Sequence, residues 1–205
     1  MLISLLFQNP LVFLFLAMVL IVSLAIHEFA HAYASDKLGD PTAKSLGRLT
    51  LNPLAHLDPV GTLLMLVAGF GWGKPVPFNP MYLKNPKRDA AIISFAGPFA
   101  NFVIALVFIL LTKLLVSNLA SGNIVLFIAA LFKFAAYYNI ILGVFNLIPL
   151  HPLDGFKVVN GLLPGYLSVQ WVQMAPYGIF VLLFLVFTNF TGNLLGVVAN
   201  SIFKL

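Results

Sequence analysis

Residues 10–34 read PLVFLFLAMVLIVSLAIHEFAHAYA, and no charged side chain occurs between the start of the chain and His27. A helix needs about 20 apolar residues to cross the hydrocarbon core of a bilayer, so this run is long enough. A cleaved signal peptide is a poor interpretation, because no basic residue precedes the run and it ends in His-Glu rather than in a small-residue cleavage site. We therefore predict a membrane-spanning helix over residues 10–34.

The composition of the whole chain also indicates a membrane protein. Of its 205 residues 61% are hydrophobic and only 8% are charged, whereas soluble domains carry about 25% charged residues. This excludes a water-soluble globule, which needs more surface charge, and a disordered chain, which needs less hydrophobicity. The net charge of +5 comes from scattered side chains, which argues against nucleic acid as a partner, and the absence of cysteine excludes disulfides and thiolate metal sites. We expect a single integral-membrane domain over residues 1–205.

Further apolar stretches predict an all-α polytopic membrane protein with about four full transmembrane helices. Besides the first, the predicted spans are residues 90–111, 124–148 and 176–203. Residues 60–72 are apolar but too short for a full crossing, and the proline-rich residues 74–80 cannot be helical. We therefore predict a re-entrant or interfacial segment and a hairpin at roughly 60–80.

Basic residues are distributed unevenly between the predicted loops. Residues 35–89 hold seven of the eleven Lys and Arg side chains, whereas the loop at 112–123 holds one, Lys113. Loops rich in Lys and Arg are usually retained in the cytoplasm. The 35–89 side of the membrane is therefore predicted to be cytoplasmic.

The strongest chemical signal is His27-Glu28-Phe29-Ala30-His31, at the end of the first span. Residues i and i+4 lie on one face of a helix, so both imidazoles can bind one metal ion, and Glu28 beside them can act as a general base toward water. Glu28 is the only glutamate in the chain, and chance would produce such a motif in about 4 of 10,000 chains of this composition. Ionisable groups are unfavourable near hydrocarbon, which favours a functional site over a polar cap at the helix end.

A catalytic metal site needs a third protein ligand, and no histidine follows His31 closely enough to supply it. The candidates are Asp36, Asp40, Asp58, Asp89, Asp154, His56 and His151. Asp154 is the best of them, because the two prolines before it must end or kink the preceding span and the glycine after it permits a tight turn. Two predicted crossings separate His31 from Asp154, so both lie on one side only if residues 60–72 do not cross the membrane.

Five stretches of the chain match the pattern of a known family. They are HEFAH at 27–31, GRLTLNPLAHLDPVGT at 47–62, GWGKPVPFNP at 71–80, GPFAN at 97–101 and NLIPLHPLDG at 146–155. Together they resemble the site-2 protease family of intramembrane zinc metalloproteases, in its compact prokaryotic form without PDZ or CBS domains. The resemblance implies one Zn²⁺ per chain held by His27, His31 and Asp154, with Glu28 as the catalytic base.

The resemblance also implies how a substrate is held. Asn146 would contact the substrate or the developing oxyanion, and residues 71–80 would lie near the substrate path. We assign Gly71, Gly73 and Asn101 to substrate binding. For Asn101 helix packing is the alternative, because small and polar side chains allow helices to approach closely.

The function implied by the resemblance is hydrolysis of peptide bonds within or near transmembrane segments of membrane proteins. The partners are then a transmembrane protein or peptide substrate, the lipid bilayer and a possible separate regulatory membrane protein, with no nucleic acid. The expected location is a prokaryotic cell (inner) membrane, with the active site toward the cytoplasm. The alternative function is a membrane metal-ion transporter or channel that uses the same His and Asp side chains, and a binding scaffold without catalysis is a third.

Overall fold

The computed structural model describes residues 2–68, 71–118, 122–188, 190, 192, 195–197 and 201. The described part is helical, and its nine named helices are α1 Leu2–Gln8, α2 Pro10–Lys37, α3 Thr42–Ser45, α4 Pro59–Ala68, α5 Pro86–Asn118, α6 Asn123–Asn146, α7 Asp154–Leu162, α8 Gly165–Gln173 and α9 Ala175–Phe187. Within these residues the β-structure is limited to an isolated bridge between Leu57 and Gly73. The predicted all-α fold class is confirmed.

Three helices, α2, α5 and α6, are long and apolar enough to cross a membrane. The α8 and α9 helices meet at a bend of 60° and pass the same test as a pair. The described part of the chain therefore has three or four candidate spans, which confirms a polytopic membrane protein. Within the described residues the helix α4 has 10 residues and is not among the candidate spans, in agreement with the prediction that this stretch is too short to cross. The end of the predicted last span, beyond residue 188, lies largely outside the described residues.

The boundaries of α5 differ from the prediction. We predicted a span over residues 90–111 and a loop at 112–123, but the helix continues through Lys113 to Asn118. Nothing between residues 112 and 118 ends a helix, because that stretch contains neither Gly nor Pro. The next glycine in the chain, Gly122, is the N-cap of α6.

Small side chains allow the three long helices to pack closely. The helix α5 lies at the centre and contacts α2, α6 and α7. Ala105 of α5 and Ala135 and Ala136 of α6 are fully or almost fully buried. An ideal Cβ built on Gly143 of α6 would lie 2.7 Å from the ring of Phe102, so a larger residue would push α5 and α6 apart. The outward face of α5 exposes large apolar side chains, as expected of a helix in lipid: Val103, Leu106, Val107 and Leu110.

Residues 71–80, called the strap below, form an extended segment rather than a self-paired hairpin. The described pairing of the strap is with the preceding loop, where Gly73 bridges Leu57 and Lys74 N–H donates to His56 O over 2.8 Å. The buried Arg48 guanidinium donates to the carbonyl oxygens of Lys74 and Pro75. The predicted hairpin is therefore corrected, because prolines within the strap withhold the N–H groups that a two-stranded ladder needs.

The far end of the strap is tied to the end of α2 through Asp40. This carboxylate is fully buried and accepts hydrogen bonds from Ser35 Oγ, from Thr42 N–H and Oγ1–H, and from Asn79 N–H. Burial alone would raise the pKa of the Asp40 carboxyl, but the hydrogen bonds from Thr42, Asn79 and Ser35 hold it below its usual value. The ionised form of Asp40 therefore stabilises the fold.

Replacing Asp40 by Asn should destabilise the protein by about 2 kcal/mol at pH 7, because the amide offers one acceptor oxygen where the carboxylate offers two. Since folding lowers the pKa of Asp40, its stabilising effect is present above the unfolded pKa of about 3.9 and is lost as the pH falls through the lower folded value. The difference between parent and variant should therefore narrow below about pH 4.

Chemical denaturation in detergent micelles at pH 7 and at pH 3 measures this effect. Asp36→Asn is the matched control, because Asp36 is partly exposed and makes a surface ion pair with Lys44. It should change the free energy of unfolding by no more than about 0.5 kcal/mol. Equal stability of Asp40→Asn and the parent at pH 7 would show that Asp40 does not anchor the strap.

Candidate metal and catalytic site

Two histidines of α2 and one aspartate of α7 meet inside the protein. His27 and His31 are one turn apart, and their Nε2 atoms lie 3.0 Å from each other. Asp154 Oδ2 lies 3.2 Å from each of these nitrogens. Both histidines are buried and the Asp154 side chain is 16% exposed, so the group is largely shielded from solvent. The structure thus brings together the three residues that the sequence assigned to a metal.

Asp154 reaches the histidines because the chain turns sharply after α6. That helix ends at Asn146, a proline-containing turn follows, and Asp154 is the first residue of α7. An ideal Cβ on Gly155 would overlap the carbonyl oxygen of Leu147, so glycine is required for this close approach of α7 to the end of α6. A carboxylate in the first turn of a helix is also favoured by the helix dipole.

The second nitrogen of each imidazole faces a polar partner. His27 Nδ1 lies 2.6 Å from Asn101 Oδ1 on α5. His31 Nδ1 lies 2.7 Å from the carbonyl oxygen of Ile93, also on α5. Metal-binding histidines usually donate their other N–H group to such acceptors. The surroundings of both rings therefore suit ligands that bind through Nε2.

The donor group fits a metal ion. The three ligand atoms lie within 4.8 Å of one another, and their separations of 3.0 and 3.2 Å are close to the roughly 3.3 Å between neighbouring ligands of a tetrahedral zinc ion. The space beside them is kept open by Gly97 of α5. An ideal Cβ on Gly97 would overlap His31 Nε2 and would lie 2.6 Å from His27 Nε2.

Glu28 lies beside this group and is not one of the three donors. Its side chain is 8% exposed and lines a cavity of about 600 Å³ that also borders His27, His31 and Asp154. Val76 N–H of the strap donates to Glu28 Oε2 over 3.0 Å. A carboxylate held by one oxygen within a shared cavity can exchange a proton with a molecule bound near the donors.

The other residues with predicted roles are divided between the cavity and its surroundings. Asn146, Gly71 and Gly73 line the cavity, and Asn146 Nδ2 donates one proton to Leu142 O over 2.9 Å. Asn101 is fully buried behind His27 and is not among the cavity-lining residues. Its contacts therefore fit a role in holding His27 better than the substrate contact that we assigned to it.

The remaining ligand candidates lie in other interactions. His56 is fully buried, and its Nε2 contacts Thr50 O. Asp58 and Asp89 accept hydrogen bonds from the backbone of Gly61 and Asn85 respectively. Asp36 pairs with Lys44, Asp40 binds the strap as described above, and the His151 ring contacts Phe156.

Sequence reasoning missed Gly97, Asn139 and Arg48 as contributors to the site. Asn139 is fully buried in α6 and accepts a hydrogen bond from Asn101 Nδ2. The available signal for Asn139 was an amide side chain within an apolar span, because polar groups inside such spans usually have a function. Gly97 carried a weaker signal, its position one turn before Asn101 on the same helix face.

The fold and the site define a class: a polytopic α-helical membrane protein with a buried His-His-Asp group beside a single glutamate. The chain matches the profile of Peptidase family M50 over residues 15–124 and 116–187, and it belongs to that family. The resemblance to site-2 proteases is thereby confirmed. A peptidase family gives no support to the transporter alternative.

Three similar proteins illustrate the match. The chain is 41% identical to YwhC of Bacillus subtilis (strain 168) over 191 residues, which cover 91% of this chain and 86% of YwhC. It is 31% identical to Rip2 of Mycolicibacterium smegmatis over 146 residues, 68% of this chain and 54% of Rip2. It is 28% identical to zinc metalloprotease MJ0392 of Methanocaldococcus jannaschii, over 78% of this chain and 39% of that protein. YwhC and Rip2 are designated zinc metalloproteases provisionally. No solved structure matches the chain.

Proposed function

We propose that this protein is a zinc endopeptidase that hydrolyses peptide bonds within or near the membrane-spanning segments of other proteins. One observation carries the proposal: the donor atoms of His27, His31 and Asp154 converge in the cavity that also contains the Glu28 carboxylate. The family and the zinc metalloprotease designations of its relatives support the same activity.

The metal would be held by His27, His31 and Asp154. Three protein ligands are the usual number in catalytic zinc sites, where the fourth position is left to water or substrate. When bound, the zinc ion lowers the pKa of water and polarises the scissile carbonyl group. The chain's own contribution is to hold the three ligands on two helices, α2 and α7, that α5 packs against.

Glu28 would move the proton. As water attacks the carbonyl carbon of the substrate, Glu28 takes the proton from that water and then delivers it to the leaving amine nitrogen. Val76 N–H donates to Oε2, so the other carboxylate oxygen is the better placed of the two to exchange the proton. This hydrogen bond also fixes which way the carboxylate faces.

Asn146 and the strap would hold the substrate. One Asn146 Nδ2 proton is donated to Leu142 O, so the second would stabilise the negative charge that develops on the substrate oxygen. A transmembrane helix hides its backbone in internal hydrogen bonds and must unwind before cleavage. An unwound segment could pair with the strap as an extended strand. The strap backbone from Lys74 to Val76 is already bonded to protein, so pairing would fall at Pro77 and Phe78.

The active site would face the cytoplasm of a prokaryotic cell membrane. The donor group lies toward the C-terminal end of α2, on the side of the strap and of the loops rich in Lys and Arg. Such loops usually stay in the cytoplasm, where the cavity would receive its water. The substrate would then be cut toward the cytoplasmic end of its membrane-spanning helix.

Metal removal tests the proposal directly. The purified protein is reconstituted into liposomes with a single-span reporter protein whose helix carries Gly and Pro near its cytoplasmic end, which eases unwinding. We expect cleavage within that helix, complete loss of cleavage after treatment with 1,10-phenanthroline, and recovery on adding one equivalent of zinc. Mass spectrometry of the products locates the cut.

The same liposomes separate the alternatives. A metal transporter would carry ⁶⁵Zn into the vesicles and leave the reporter intact, and this result would refute the proposal. Cleavage that persists in the chelator would exclude the metal from the reaction. Cleavage confined to a soluble loop of the reporter would refute the intramembrane part of the proposal alone.

A further inference from the structure

A chain of buried amides lies behind His27. The Asn101 Oδ1 atom is 2.6 Å from His27 Nδ1, and Asn101 Nδ2 donates to Asn139 Oδ1 over 3.1 Å. Asn139 Nδ2 in turn donates to the carbonyl oxygen of Ala135 over 2.9 Å. Both asparagines are fully buried. The chain thus runs from the backbone of α6, through α5, to a proposed metal ligand on α2.

The far end of this chain fixes the direction of every hydrogen bond in it. A carbonyl oxygen can only accept, so Ala135 O requires the NH₂ group of Asn139 to face it. The oxygen of Asn139 must then face Asn101, which has to present its own NH₂ group. The Asn101 oxygen is thereby turned toward His27, where it accepts a hydrogen bond from Nδ1–H.

We propose that Asn101 and Asn139 are positioning residues that keep the proton of His27 on Nδ1 and its lone pair on Nε2. This inference rests on the proposed function, because it takes Nε2 of His27 to be a zinc ligand. An imidazole that already carries its proton on the remote nitrogen binds a metal without first rearranging. The amide chain therefore raises the metal affinity of the site without touching the metal.

Both histidines have a hydrogen-bond acceptor at Nδ1, but the two acceptors differ in kind. His31 Nδ1 faces the backbone carbonyl of Ile93, which no side-chain substitution removes. His27 Nδ1 faces a side chain, so its orientation depends on the identity of residues 101 and 139. Substitutions on α5 and α6 can therefore weaken one ligand and leave the other unchanged.

Helix packing is the competing explanation for Asn101. Leucine branches at the same carbon as asparagine and suits an apolar bundle. A packing role therefore predicts that Asn101→Leu binds zinc normally and that the charged Asn101→Asp is the damaging change. The positioning role predicts the opposite order. The carboxylate of Asn101→Asp can still accept a hydrogen bond from His27 Nδ1–H, whereas the leucine cannot.

Zinc affinity, measured by competition with a chelator on the detergent-purified protein, separates the two. We expect Asn101→Leu to bind zinc about 10- to 100-fold more weakly than the parent. Asn101→Asp should bind zinc more tightly than Asn101→Leu does, because its carboxylate still accepts from His27 Nδ1–H although it cannot donate to Asn139 Oδ1. The absorption spectrum of bound Co²⁺ should change for the leucine variant. Thr112→Val is the matched control, a polar-to-apolar change in the same helix, where the Thr112 hydroxyl donates to Phe108 O. It should leave zinc affinity unchanged.

Asn139→Leu breaks the amide chain at a residue that does not itself contact His27. It should lower zinc affinity in the parent, because the Asn101 amide is then free to turn. It should have no such effect when Asn101→Asp is also present, because both oxygens of a carboxylate accept. If Asn101→Leu fails to fold, this pair of measurements decides the question.

Two results would overturn the inference. One is parental zinc affinity in folded Asn101→Leu, and the other is an equal effect of Asn139→Leu in both backgrounds. A parent that binds no zinc would instead overturn the proposed function, so the two failures are distinguishable. Because affinity is measured without substrate, loss of proteolysis does not enter the test.

Discussion

Replacing Glu28 by Gln is expected to abolish peptide-bond cleavage while the protein keeps its zinc. Glutamine has the same shape and retains an oxygen that can accept the Val76 N–H, so the strap contact at 3.0 Å can persist. The amide cannot take a proton from water at neutral pH. General acid–base catalysis contributes about 10²- to 10⁴-fold to enzymatic rates, and we expect a loss at the upper end of that range because the same group serves both steps.

Two measurements on one preparation check this expectation. Cleavage of the single-span reporter in liposomes gives the rate, and elemental analysis of the purified protein gives the zinc content. Asp36→Asn provides the matched carboxylate-to-amide control, because Asp36 interacts with Lys44 away from the cavity and should leave the rate unchanged. Retained cleavage in Glu28→Gln would eliminate Glu28 as the base, and a zinc-free variant would show that Glu28 acts on the metal site instead.

Replacing Gly97 by Ala should weaken metal binding in a protein that still folds. Alanine has the highest helix propensity, and Gly97 lies within α5, so the substitution by itself favours the helix. Its methyl group, however, would overlap His31 Nε2 and lie 2.6 Å from His27 Nε2, in the space between the metal donors and α5. We expect zinc affinity to fall by on the order of 100-fold, as much as when a supporting contact of a metal site is lost, and cleavage to fall with it.

Chelator competition and thermal unfolding together measure this effect. Gly165→Ala is the matched control, because an ideal Cβ on this first residue of α8 has no atom within 4 Å. It should retain full zinc affinity. Asp154→Ala serves as the reference for a lost ligand and should release most of the zinc. Parental zinc affinity in Gly97→Ala would mean that α5 does not form the wall of the metal site.

Hydropathy predicted α2 and α6 to within three residues at each end, because bilayer thickness sets the length of an apolar helix. It underestimated α5, whose ends extend beyond the apolar run into sequence that contains Lys113 and Arg88. A helix that carries charges at its ends can project from the membrane, and hydropathy does not register that part. The conformation of the strap was predicted only in outline, since Arg48 and Asp40, which hold it, are more than 25 residues away in sequence.

The candidate site was predicted unevenly for a related reason. His27, Glu28 and His31 form a local pattern with helical spacing. Asp154 was chosen from the prolines before it and the glycine after it, and the count of membrane crossings was consistent with that choice. Gly97 and Asn139 emerge only once α5 and α6 are packed against α2, because their roles depend on which helix face meets the donors. The side chains of one apolar helix do not show which helix it packs against. The roles of Gly97 and Asn139 could therefore be assigned only from the structure.

The strap has a consequence for how copies of this protein behave in a crowded membrane. Exposed extended backbone usually invites another chain to add a strand, and this is a common route to aggregation. Between Pro75 and Pro77 the backbone offers a single N–H, that of Val76, and it is already donated to Glu28. A neighbouring molecule therefore finds no row of donors between Pro75 and Pro77, which disfavours strand addition by another copy along these residues and leaves the cavity uncovered.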